Sequence, residues 1–423
     1  MEFFAEITGF LILTAVSLRG ALSAYGVAER RIAAVRTERR QIKVLSARVD
    51  RRLDSEHERQ RLTWSGTRKF QIVGRQYENA GGSICSFYLV PGDNQPAPVF
   101  RPGQFLSFEV PLKGQMQPEI RCYSISSSPT ERRFYRITVK RVGAPDHAPA
   151  FVPPGMISNF FHDRLVPGSV LDVFAPSGSF SLNQNSVRPI VLIAGGVGIT
   201  PLISMLSWLI ATNAKREIWL FYGVRNRAEH AMYDALKLLA RTCANFRAVT
   251  FYSRPSDTCR EGVDYDVEGY VSVAVMKQVL KSSNYEFYVC GPSSMMETIT
   301  RDLQACGVGS DDIKLEAFGQ APLANSEPGE TAATAGHAKP HRVHFSRTNK
   351  TVRWTPSTKS LLELAEASGI KARFGCRAGN CGTCSSGIQD GKISYIRQPG
   401  VEPASGSCLI CIAQPQGDVV IDL

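Results

Sequence analysis

Three cysteines, Cys376, Cys381 and Cys384, lie within nine residues in the last part of the sequence. A group of thiols this dense could form disulfides, bind zinc or hold an iron–sulfur cluster. The chain has 11 cysteines in 423 residues, and an odd number in a protein this large does not suit a disulfide scaffold. We therefore expect a reducing, cytoplasmic compartment and a metal or redox centre in this stretch.

The spacing of these cysteines separates the two metal chemistries. Cys376-x4-Cys381-x2-Cys384, with a fourth cysteine after a gap, is the plant-type [2Fe–2S] spacing, whereas zinc sites more often contain paired C-x2-C units. One such pair, Cys408 and Cys411, is present and competes for the fourth position. The context LICIAQP resembles that of the last ligand in plant-type ferredoxins and favours Cys411, so Cys408 is a spare thiol. The predicted metal ligands are Cys376, Cys381, Cys384 and Cys411.

A second candidate site lies in the segment RCYSISSSP, residues 121–129, at the end of a predicted strand. A flavin nucleotide needs a cation for its phosphates, an aromatic face beside its ring and a hydroxyl near the nitrogen that carries the hydride. Arg121, Tyr123 and Ser124 supply these three groups, and strand alternation places the first two on one side. Downstream, PPGMISNFFHD places Gly155 and Ser158 at a predicted helix start, a natural seat for a phosphate.

A glycine-rich turn in VLIAGGVGITPLISML joins a predicted strand to a predicted helix. Gly195, Gly196 and Gly198 would let the backbone approach a pyrophosphate, and the helix that starts near Thr200 and Pro201 would present its positive dipole end. The turn does not match G-x-G-x-x-G, so the usual Rossmann fingerprint is not met. A tight packing turn between strand and helix is the alternative interpretation.

The patterns around these motifs predict folded domains of three classes. Short alternating runs separated by Gly and Pro turns indicate an antiparallel β-barrel at 66–185, and the candidate flavin segment RCYSISSSP makes it the predicted flavin domain. Alternating strands and helices indicate an α/β parallel-sheet domain at 186–320, and the glycine-rich turn within it makes it the predicted NAD(P)-binding domain. A polar linker at 321–341 leads to an α+β ferredoxin-like (β-grasp) domain at 342–423. The predicted fold is therefore multidomain, with an additional N-terminal helix.

The N-terminal residues 1–27 are apolar and precede a basic segment, 28–65, which reads as a helical linker. Because the basic residues follow the apolar ones, the positive-inside rule predicts a single-pass anchor on the cytoplasmic side of the inner membrane, and hence membrane contact. A buried or interfacial helix of a soluble protein is the alternative. Residues 28–52 alone supply just over half of the net charge of +11, so the charge does not indicate a nucleic-acid partner, and we expect none.

The segments RCYSISS, GMISNFFHD, AGGVGITPLISML and YVCGPSSMM, in this order and at these spacings, resemble the ferredoxin–NADP reductase-like superfamily of flavin reductases. The most similar sub-pattern is the reductase half of flavohaemoglobins and NADH oxidoreductases. The resemblance covers residues 66–423 and ends in the plant-type ferredoxin pattern. It implies FAD rather than FMN, a [2Fe–2S] cluster, and NADH or NADPH as reductant.

The resemblance also implies roles for individual residues of the flavin site. Arg121 would meet the flavin phosphates, Tyr123 would pack on the isoalloxazine ring, Ser124 would lie near its N5 atom and Ser158 would hold the pyrophosphate. Cys122 occupies the variable position of the motif, and we interpret it as a buried strand thiol. The other flavin-binding residues implied are Ile125, Ser126, Thr138, Val139, Lys140, Gly155, Met156 and Ile157.

For the nicotinamide site, the resemblance implies roles at the ends of two strands. Cys290 in YVCGPSSMM would face the place of hydride transfer. Gly291 and Pro292 would turn the chain away from the edge at which open α/β sheets bind ligands. Glu316 in LEAFG would lie near the flavin, and Phe318 would cover the ring until the nicotinamide displaces it.

The choice between NADH and NADPH depends on cations near the adenosine end of the nucleotide. NADPH carries a 2′-phosphate that needs positive charge nearby. Such residues follow the second and third predicted strands of the α/β domain, at Arg225, Arg227 and Arg254. The overall resemblance is to NADH enzymes, so NADH is the preferred prediction.

The sequence thus predicts an electron-transfer oxidoreductase that moves electrons from NADH or NADPH through FAD to a [2Fe–2S] cluster. Because a cluster cannot take a hydride, the flavin must divide the two electrons. The expected acceptor is a partner protein: an oxygenase, desaturase, demethylase or hybrid-cluster protein. Two alternatives are a membrane-associated flavin/Fe–S redox sensor and a stand-alone NADH oxidase or quinone reductase.

Overall fold

The structure is a computed structural model that describes residues 64, 66–112, 118–143, 155–318, 341–355, 358–397 and 399–423. All of these residues belong to one unit, which spans positions 62–423. The unit contains a six-stranded antiparallel sheet, a six-stranded parallel sheet, and a five-stranded mixed sheet with a two-stranded companion. The predicted domain boundaries remain predictions, but the class of each domain is confirmed.

The antiparallel sheet has the strand order β4-β3-β6-β1-β2-β5. Its strands are β1 (Thr67–Tyr77), β2 (Ile84–Pro91), β3 (Phe105–Val110), β4 (Glu119–Ser124), β5 (Tyr135–Lys140) and β6 (Val170–Phe174). Alternate residues point inward, so one face of each strand supplies the apolar core. Helix α1 (Met156–Arg164) packs on this core through Phe161, whose ring meets those of Phe87 and Phe108 edge-on. The predicted antiparallel barrel is confirmed.

The parallel sheet has the order β10-β9-β8-β7-β11-β12. Its strands are β7 (Ile190–Gly195), β8 (Ile218–Val224), β9 (Phe246–Tyr252), β10 (Val267–Glu268), β11 (Glu286–Gly291) and β12 (Ile313–Ala317). Its helices are α2 (Ile199–Ala211), α3 (Tyr233–Thr242), α4 (Val273–Val279) and α5 (Ser293–Ala305). Ile190 and Leu192 enter one core, whereas Val191 and Ile193 enter another on the opposite face. Helices therefore cover both faces, as the strand–helix alternation predicts.

The C-terminal domain has the sheet order β14-β13-β19-β15-β17 and a second sheet, β16-β18. Its strands are β13 (Arg342–Phe345), β14 (Lys350–Arg353), β15 (Ser385–Asp390), β16 (Ile393–Tyr395), β17 (Ser407–Leu409), β18 (Ala413–Pro415) and β19 (Val419–Ile421). Helix α6 (Leu361–Ala367) begins after Ser360, whose hydroxyl accepts a hydrogen bond from the N–H of Glu363 at 3.3 Å. The mixture of a sheet and one packed helix confirms the predicted α+β class.

The predicted membrane anchor, and the inner-membrane localisation that depended on it, are contradicted. Within the part of the chain that the structure describes, no helix is long and apolar enough to cross a membrane. The longest helices there, α2 and α5, have 13 residues each, whereas a spanning helix needs about twenty. The predicted anchor at 1–27 lies outside the described residues, as do the basic linker, apart from Trp64, and most of the linker at 321–341.

Candidate functional site

A cavity of about 560 Å³ lies where the barrel, the parallel sheet and the C-terminal domain meet. From the barrel it is lined by Arg121, Cys122, Tyr123, Ser124, Thr138, Lys140, Val142, Gly155, Met156, Ile157 and Ser158. From the parallel-sheet domain it is lined by Val197, Thr200, Ala317 and Phe318, and from the C-terminal domain by Phe374, Gly375, Cys376 and Arg377. This volume is in the range of small-molecule and cofactor sites. One cavity therefore touches all three predicted sites.

Strand β4 forms one wall of the cavity because it pairs with β3 along its whole length. The Tyr123 ring packs 4.9 Å from the Phe161 ring, and burial raises the pKa of its hydroxyl. The Arg121 guanidinium donates to the Glu119 carboxylate at 3.1 Å and to the Ile120 carbonyl at 2.8 Å. The aromatic face and the cation predicted for a flavin are thus held at the same wall.

Ser124 has a buried hydroxyl oxygen with no hydrogen-bond partner in the structure, and it lines the cavity. Burying an unpaired hydroxyl is unfavourable, so such a group indicates where a ligand would supply the missing partner. Nearby hydroxyls are satisfied: Thr138 Oγ1 lies 2.8 Å from the Oγ atoms of Ser86 and Ser126. The unpaired hydroxyl of Ser124 therefore fits a flavin ring nitrogen.

The start of α1 also lines the cavity. Ser158 Oγ accepts from the N–H of Val142 at 3.2 Å and donates to the carbonyl of Gly155 at 2.9 Å. A Cβ added to Gly155 would lie 2.8 Å from the Val142 Cβ, so the turn requires glycine. The first N–H groups of a helix lack intrahelical partners, and here they begin beside the cavity, as a phosphate site needs.

Cys290 and Glu316 lie side by side at the ends of β11 and β12. Glu316 Oε2 is buried without a partner, and burial raises the pKa of the carboxyl to about 8. Burial, and then the proximity of Glu316, raise the pKa of the Cys290 thiol well above its ordinary value. Both groups are therefore neutral at pH 7. Ala317 and Phe318, the next residues along the chain, line the cavity.

The glycines of the turn at the end of β7 are required for different reasons, as the space around an added Cβ atom shows. A Cβ on Gly198 would collide with the carbonyl of Cys290, and one on Gly195 would lie 2.7 Å from Pro292 Cδ. Gly196 has a φ of 54° and open space where a Cβ would be. Close packing of the turn against β11 thus explains two of the glycines, and only Gly196 faces room for a ligand. We refer to this turn with Cys290, Gly291, Pro292 and Glu316 as the sheet edge.

The loop at residues 374–384, here called the cluster loop, points backbone N–H groups at cysteine sulfurs. The N–H groups of Ala378 and Asn380 donate to Cys376 Sγ at 3.4 and 3.2 Å. The N–H of Cys376 donates to Cys381 Sγ at 3.3 Å. Donors arranged in this way stabilise thiolates and tune an iron–sulfur cluster. The loop residues therefore fit a [2Fe–2S] cluster.

The four predicted ligands form two pairs. Cys384 Sγ and Cys411 Sγ are 3.1 Å apart, and the side chains of Cys376 and Cys381 lie close together, with the N–H of Cys376 donating to Cys381 Sγ at 3.3 Å. Across the described ranges, no three or more His, Cys, Asp or Glu side chains are grouped as a metal-ion site would need. Two pairs suit a cluster with two irons better than a single zinc ion. Cys408 is fully buried, and burial raises the pKa of its thiol to about 12.

The cluster loop and the segment before it pack directly on the barrel. Ser177 Oγ donates to the carbonyl of Asn380 at 2.7 Å. Arg373, which precedes the loop, forms an ion pair with Glu109 of β3 at 3.0 Å. These contacts hold Cys376 at the wall of the cavity that also contains the predicted flavin residues.

Three family models match the chain: an oxidoreductase FAD-binding domain at residues 90–182, an oxidoreductase NAD-binding domain at 192–301 and a 2Fe-2S iron-sulfur cluster binding domain at 343–416. Each match lies on one of the three sheet systems described above. The chain belongs to the ferredoxin–NADP reductase-like flavin reductases with a C-terminal [2Fe–2S] domain. This reductase therefore has domains for FAD, a nicotinamide nucleotide and a [2Fe–2S] cluster, as predicted.

Individual relatives share parts of this arrangement. The flavohemoprotein of Bordetella pertussis is 39% identical over 263 residues, 62% of this chain and 63% of that protein. That of Halalkalibacterium halodurans is 36% identical over 258 residues, 61% of each chain, so the reductase spans about three fifths of these relatives.

Two solved structures extend the comparison. The flavohem-like FAD/NAD binding domain of nitric oxide dioxygenase from Vibrio cholerae O1 biovar El Tor is 30% identical, with a TM-score of 0.52, over 60% of this chain and 99% of that chain. Phthalate dioxygenase reductase is 24% identical, with a TM-score of 0.51, over 85% and 98%. The second likeness concerns the fold, and it includes the C-terminal domain.

The predicted site residues of the reductase fall into two groups. Those at the cavity are Arg121, Tyr123, Ser124, Thr138, Lys140, Gly155, Met156, Ile157, Ser158, Thr200, Phe318 and Cys376. Those that do not line it are Ile125, Ser126, Val139, Gly195, Gly196, Gly198, Pro201, Cys290, Gly291, Pro292, Glu316, Cys381, Cys384 and Cys411. Sequence reasoning missed Phe374 and Arg377 as cavity residues. They flank Cys376, but only the docking of the loop on β4 brings them to the flavin wall.

Proposed function

We propose that this reductase transfers electrons from NADH or NADPH through FAD to the [2Fe–2S] cluster and on to a partner protein. The observation that carries the proposal is one cavity lined by strand β4, by Phe318 and by Cys376. FAD, when bound, accepts a hydride and releases its electrons one at a time. A shared cavity supports direct electron transfer, because the nicotinamide nucleotide, the flavin and the first cluster ligand would be neighbours.

In this proposal the barrel residues bind and orient the flavin. Arg121 and the N-terminus of α1 at Ser158 hold phosphate oxygens, and Tyr123 forms a wall for the ring. Ser124 completes its unmade hydrogen bond with the ring nitrogen that takes the hydride. Phe318, which is 38% exposed at the cavity, covers the ring face until the nicotinamide replaces it.

At the sheet edge, Cys290 and Glu316 present neutral side chains to the nicotinamide ring. Because burial raises both pKa values, the neutral form of each side chain predominates at pH 7. With its pKa raised to about 8, the Glu316 carboxyl is mainly protonated at pH 7 and so can donate a hydrogen bond toward the site. A charged carboxylate there would oppose the approach of a hydride.

For the cluster, we propose that Cys376 and Cys381 bind one iron and that Cys384 and Cys411 bind the other. The two sulfur pairs support this assignment. Cys408 lies on β17, opposite Ser386 of β15, and is a packing residue in the proposal.

We propose NADH as the preferred reductant. Glu229 pairs with Arg225 at 3.2 Å and with Lys140 at 2.8 Å, so one carboxylate engages two nearby cations. The Arg227 guanidinium lies 3.6 Å from the centroid of the Tyr233 ring. Two of the three arginines that could bind a 2′-phosphate are thus already engaged, which supports NADH.

We propose that the partner is the terminal component of an oxygenase system. A [2Fe–2S] cluster delivers single electrons, so its acceptor must itself be a one-electron centre. Phthalate dioxygenase reductase, a protein with this fold, is by name the reductase of a dioxygenase. Desaturases, demethylases and hybrid-cluster proteins are further one-electron acceptors that the test should include.

The test is anaerobic NADH oxidation by the purified protein with and without each candidate terminal component. Rapid oxidation that requires the partner, with flavin and cluster bands in the absorbance spectrum, is the expected result. Fast consumption of oxygen or quinone without any partner would establish a stand-alone oxidase instead. Slow NADH turnover with every artificial acceptor would favour the redox sensor.

A further inference from the structure

Strand β4 packs against the cluster loop, and residues of both line the flavin cavity. The Arg121 guanidinium lies 5.7 Å from the centroid of the Phe374 ring. A Cβ placed on Gly375 would lie 3.2 Å from the Ile120 side chain and 3.1 Å from Cys381 Sγ. The loop therefore rests on β4 at the position of Cys381.

Cys122 follows Ile120 and Arg121 on the same strand. Its thiol lines the cavity, and its Sγ is 3.2 Å from the Ser107 hydroxyl on the paired strand β3. On the other side, the Cys122 thiol lies beside the Cys381 side chain, on the face of β4 that also presents Ile120 to the cluster loop. The residue interpreted from the sequence as an ordinary buried thiol is thus in contact with the cluster loop.

The hydrogen bonds from Ser107 to Cys122 and from Cys122 to Cys381 can run in the same direction. Ser107 is buried, and its O–H can donate to Cys122 Sγ. The Cys122 S–H is then free to donate to Cys381 Sγ, which as a cluster ligand would be a thiolate and an acceptor only. The Ser107–Cys122–Cys381 chain is therefore satisfied in one direction.

We propose that Ser107 and Cys122 form a hydrogen-bond relay that donates to the sulfur of Cys381 and raises the reduction potential of the cluster. Reduction adds one electron, and hence one negative charge, which the cluster shares with its sulfurs. A donor at Cys381 stabilises that charge, while the proton stays on Cys122. Cys122 is a positioning residue in this proposal, which rests on the proposed assignment of Cys381 as a ligand.

The test is a potentiometric titration of the whole protein, with the cluster followed by electron paramagnetic resonance and the flavin by absorbance. Dithionite serves as reductant, so the result does not depend on NADH oxidation. We expect Cys122→Ala to lower the reduction potential of the cluster. At the potential at which the wild-type cluster is half reduced, the ratio of oxidised to reduced cluster in this variant should therefore rise about threefold to tenfold. Tenfold corresponds to 59 mV for a one-electron couple.

Further variants separate the relay from a packing effect. Cys122→Ser keeps a donor and should shift the ratio less than Cys122→Ala does, and Ser107→Ala should shift it in the same direction by a smaller factor. Cys306→Ser removes an exposed thiol on another domain and should leave the ratio unchanged. If Cys122→Ala does not assemble the cluster, the Cys122→Ser and Ser107→Ala variants decide the question.

The outcomes also distinguish failure of the relay from failure of the proposed function. An unchanged cluster potential in Cys122→Ala, or a shift confined to the flavin, would overturn the relay and leave the cluster assignment intact. Absence of the cluster signal in the wild-type protein, with iron and sulfide supplied, would overturn the ligand assignment and the relay with it.

Discussion

The cluster loop and the sheet edge use the same residue types, glycine and cysteine, for opposite purposes. In the cluster loop, Gly379 and Gly382 have φ values of 75° and 72°, a conformation that turns N–H groups toward sulfur. At the sheet edge, Gly198 is needed because the backbone of Cys290 leaves no room for a Cβ. Burial beside Glu316 keeps the Cys290 thiol neutral, whereas donated hydrogen bonds, first from Cys122 and then from Cys376, lower the pKa of Cys381.

This difference shows that burial alone does not make a cysteine a metal ligand. A buried thiol without donors stays protonated, and the same thiol with several N–H donors becomes a thiolate that can bind iron. Cys408 and Cys411 provide the sharpest case, since both are buried and lie three positions apart. The pKa of both thiols is raised, by burial at Cys408 and by the hydrogen bond with Cys384 and then burial at Cys411, so neighbours rather than pKa separate them. Cys411 Sγ lies 3.1 Å from Cys384 Sγ, whereas Cys408 lies opposite Ser386 of β15.

The largest expected effect is therefore the contrast between Cys411→Ala and Cys408→Ala. Cys411→Ala should lose the cluster and with it at least about tenfold of the rate of one-electron transfer to a protein acceptor, because one iron loses a ligand. Cys408→Ala should keep the cluster. Iron and acid-labile sulfide analysis and the cluster absorbance bands measure both, and NADH reduction of ferricyanide at the flavin should survive in each variant. Loss of the cluster in Cys408→Ala, with the cluster kept in Cys411→Ala, would make Cys408 the fourth ligand.

A second contrast concerns the two reasons for glycine within one turn. Gly198→Ala would force a methyl group into the Cys290 carbonyl and should lower the free energy of unfolding by about 3 kcal/mol. Gly196→Ala has open space but a left-handed backbone, and should lower it by about 1 kcal/mol. Urea unfolding followed by tryptophan fluorescence measures both variants. Equal losses would show that backbone strain, rather than packing against β11, determines the turn.

The third prediction uses pH to probe the neutral sheet edge. Burial raises the pKa of Glu316 from 4.5 to about 8, so the folded state holds a proton that the unfolded state releases. The stabilisation from this proton is fully present below pH 4.5 and is lost as the pH rises to about 8. Between pH 5.5 and 7.5 the wild-type protein should lose roughly 2 kcal/mol of stability relative to Glu316→Gln.

Thermal or urea unfolding at several pH values checks this relation. Glu268→Gln, which removes an exposed carboxylate from β10, is the matched control and should follow the wild type. Parallel curves for the wild type and Glu316→Gln would mean that the carboxyl is ionised in the folded protein. The neutral sheet edge would then lose its main support.

The parts of the site that could be predicted from sequence are those that depend on local motifs. The motifs around Arg121, Gly195 and Cys376 are local, and strand alternation and glycine spacing are enough to place them on the correct elements. The contact between Cys122 and Cys381 joins positions 259 residues apart. No periodicity encodes it, because it depends on how the barrel and the C-terminal domain dock through pairs such as Arg373 and Glu109.

The prediction with the smallest expected effect lies beyond β8, away from both regions compared above. Glu229→Gln should free Arg225 and Lys140 from their shared carboxylate, and the freed cations can then attract a 2′-phosphate. We expect the ratio of kcat/KM for NADPH to that for NADH to rise about threefold to tenfold, since each added charge contact is partly exposed to solvent. Asp234→Asn, which removes a nearby exposed carboxylate on α3, controls for the change in net charge. An equal rise in both variants would show that overall charge, rather than release of the two cations, determines the preference.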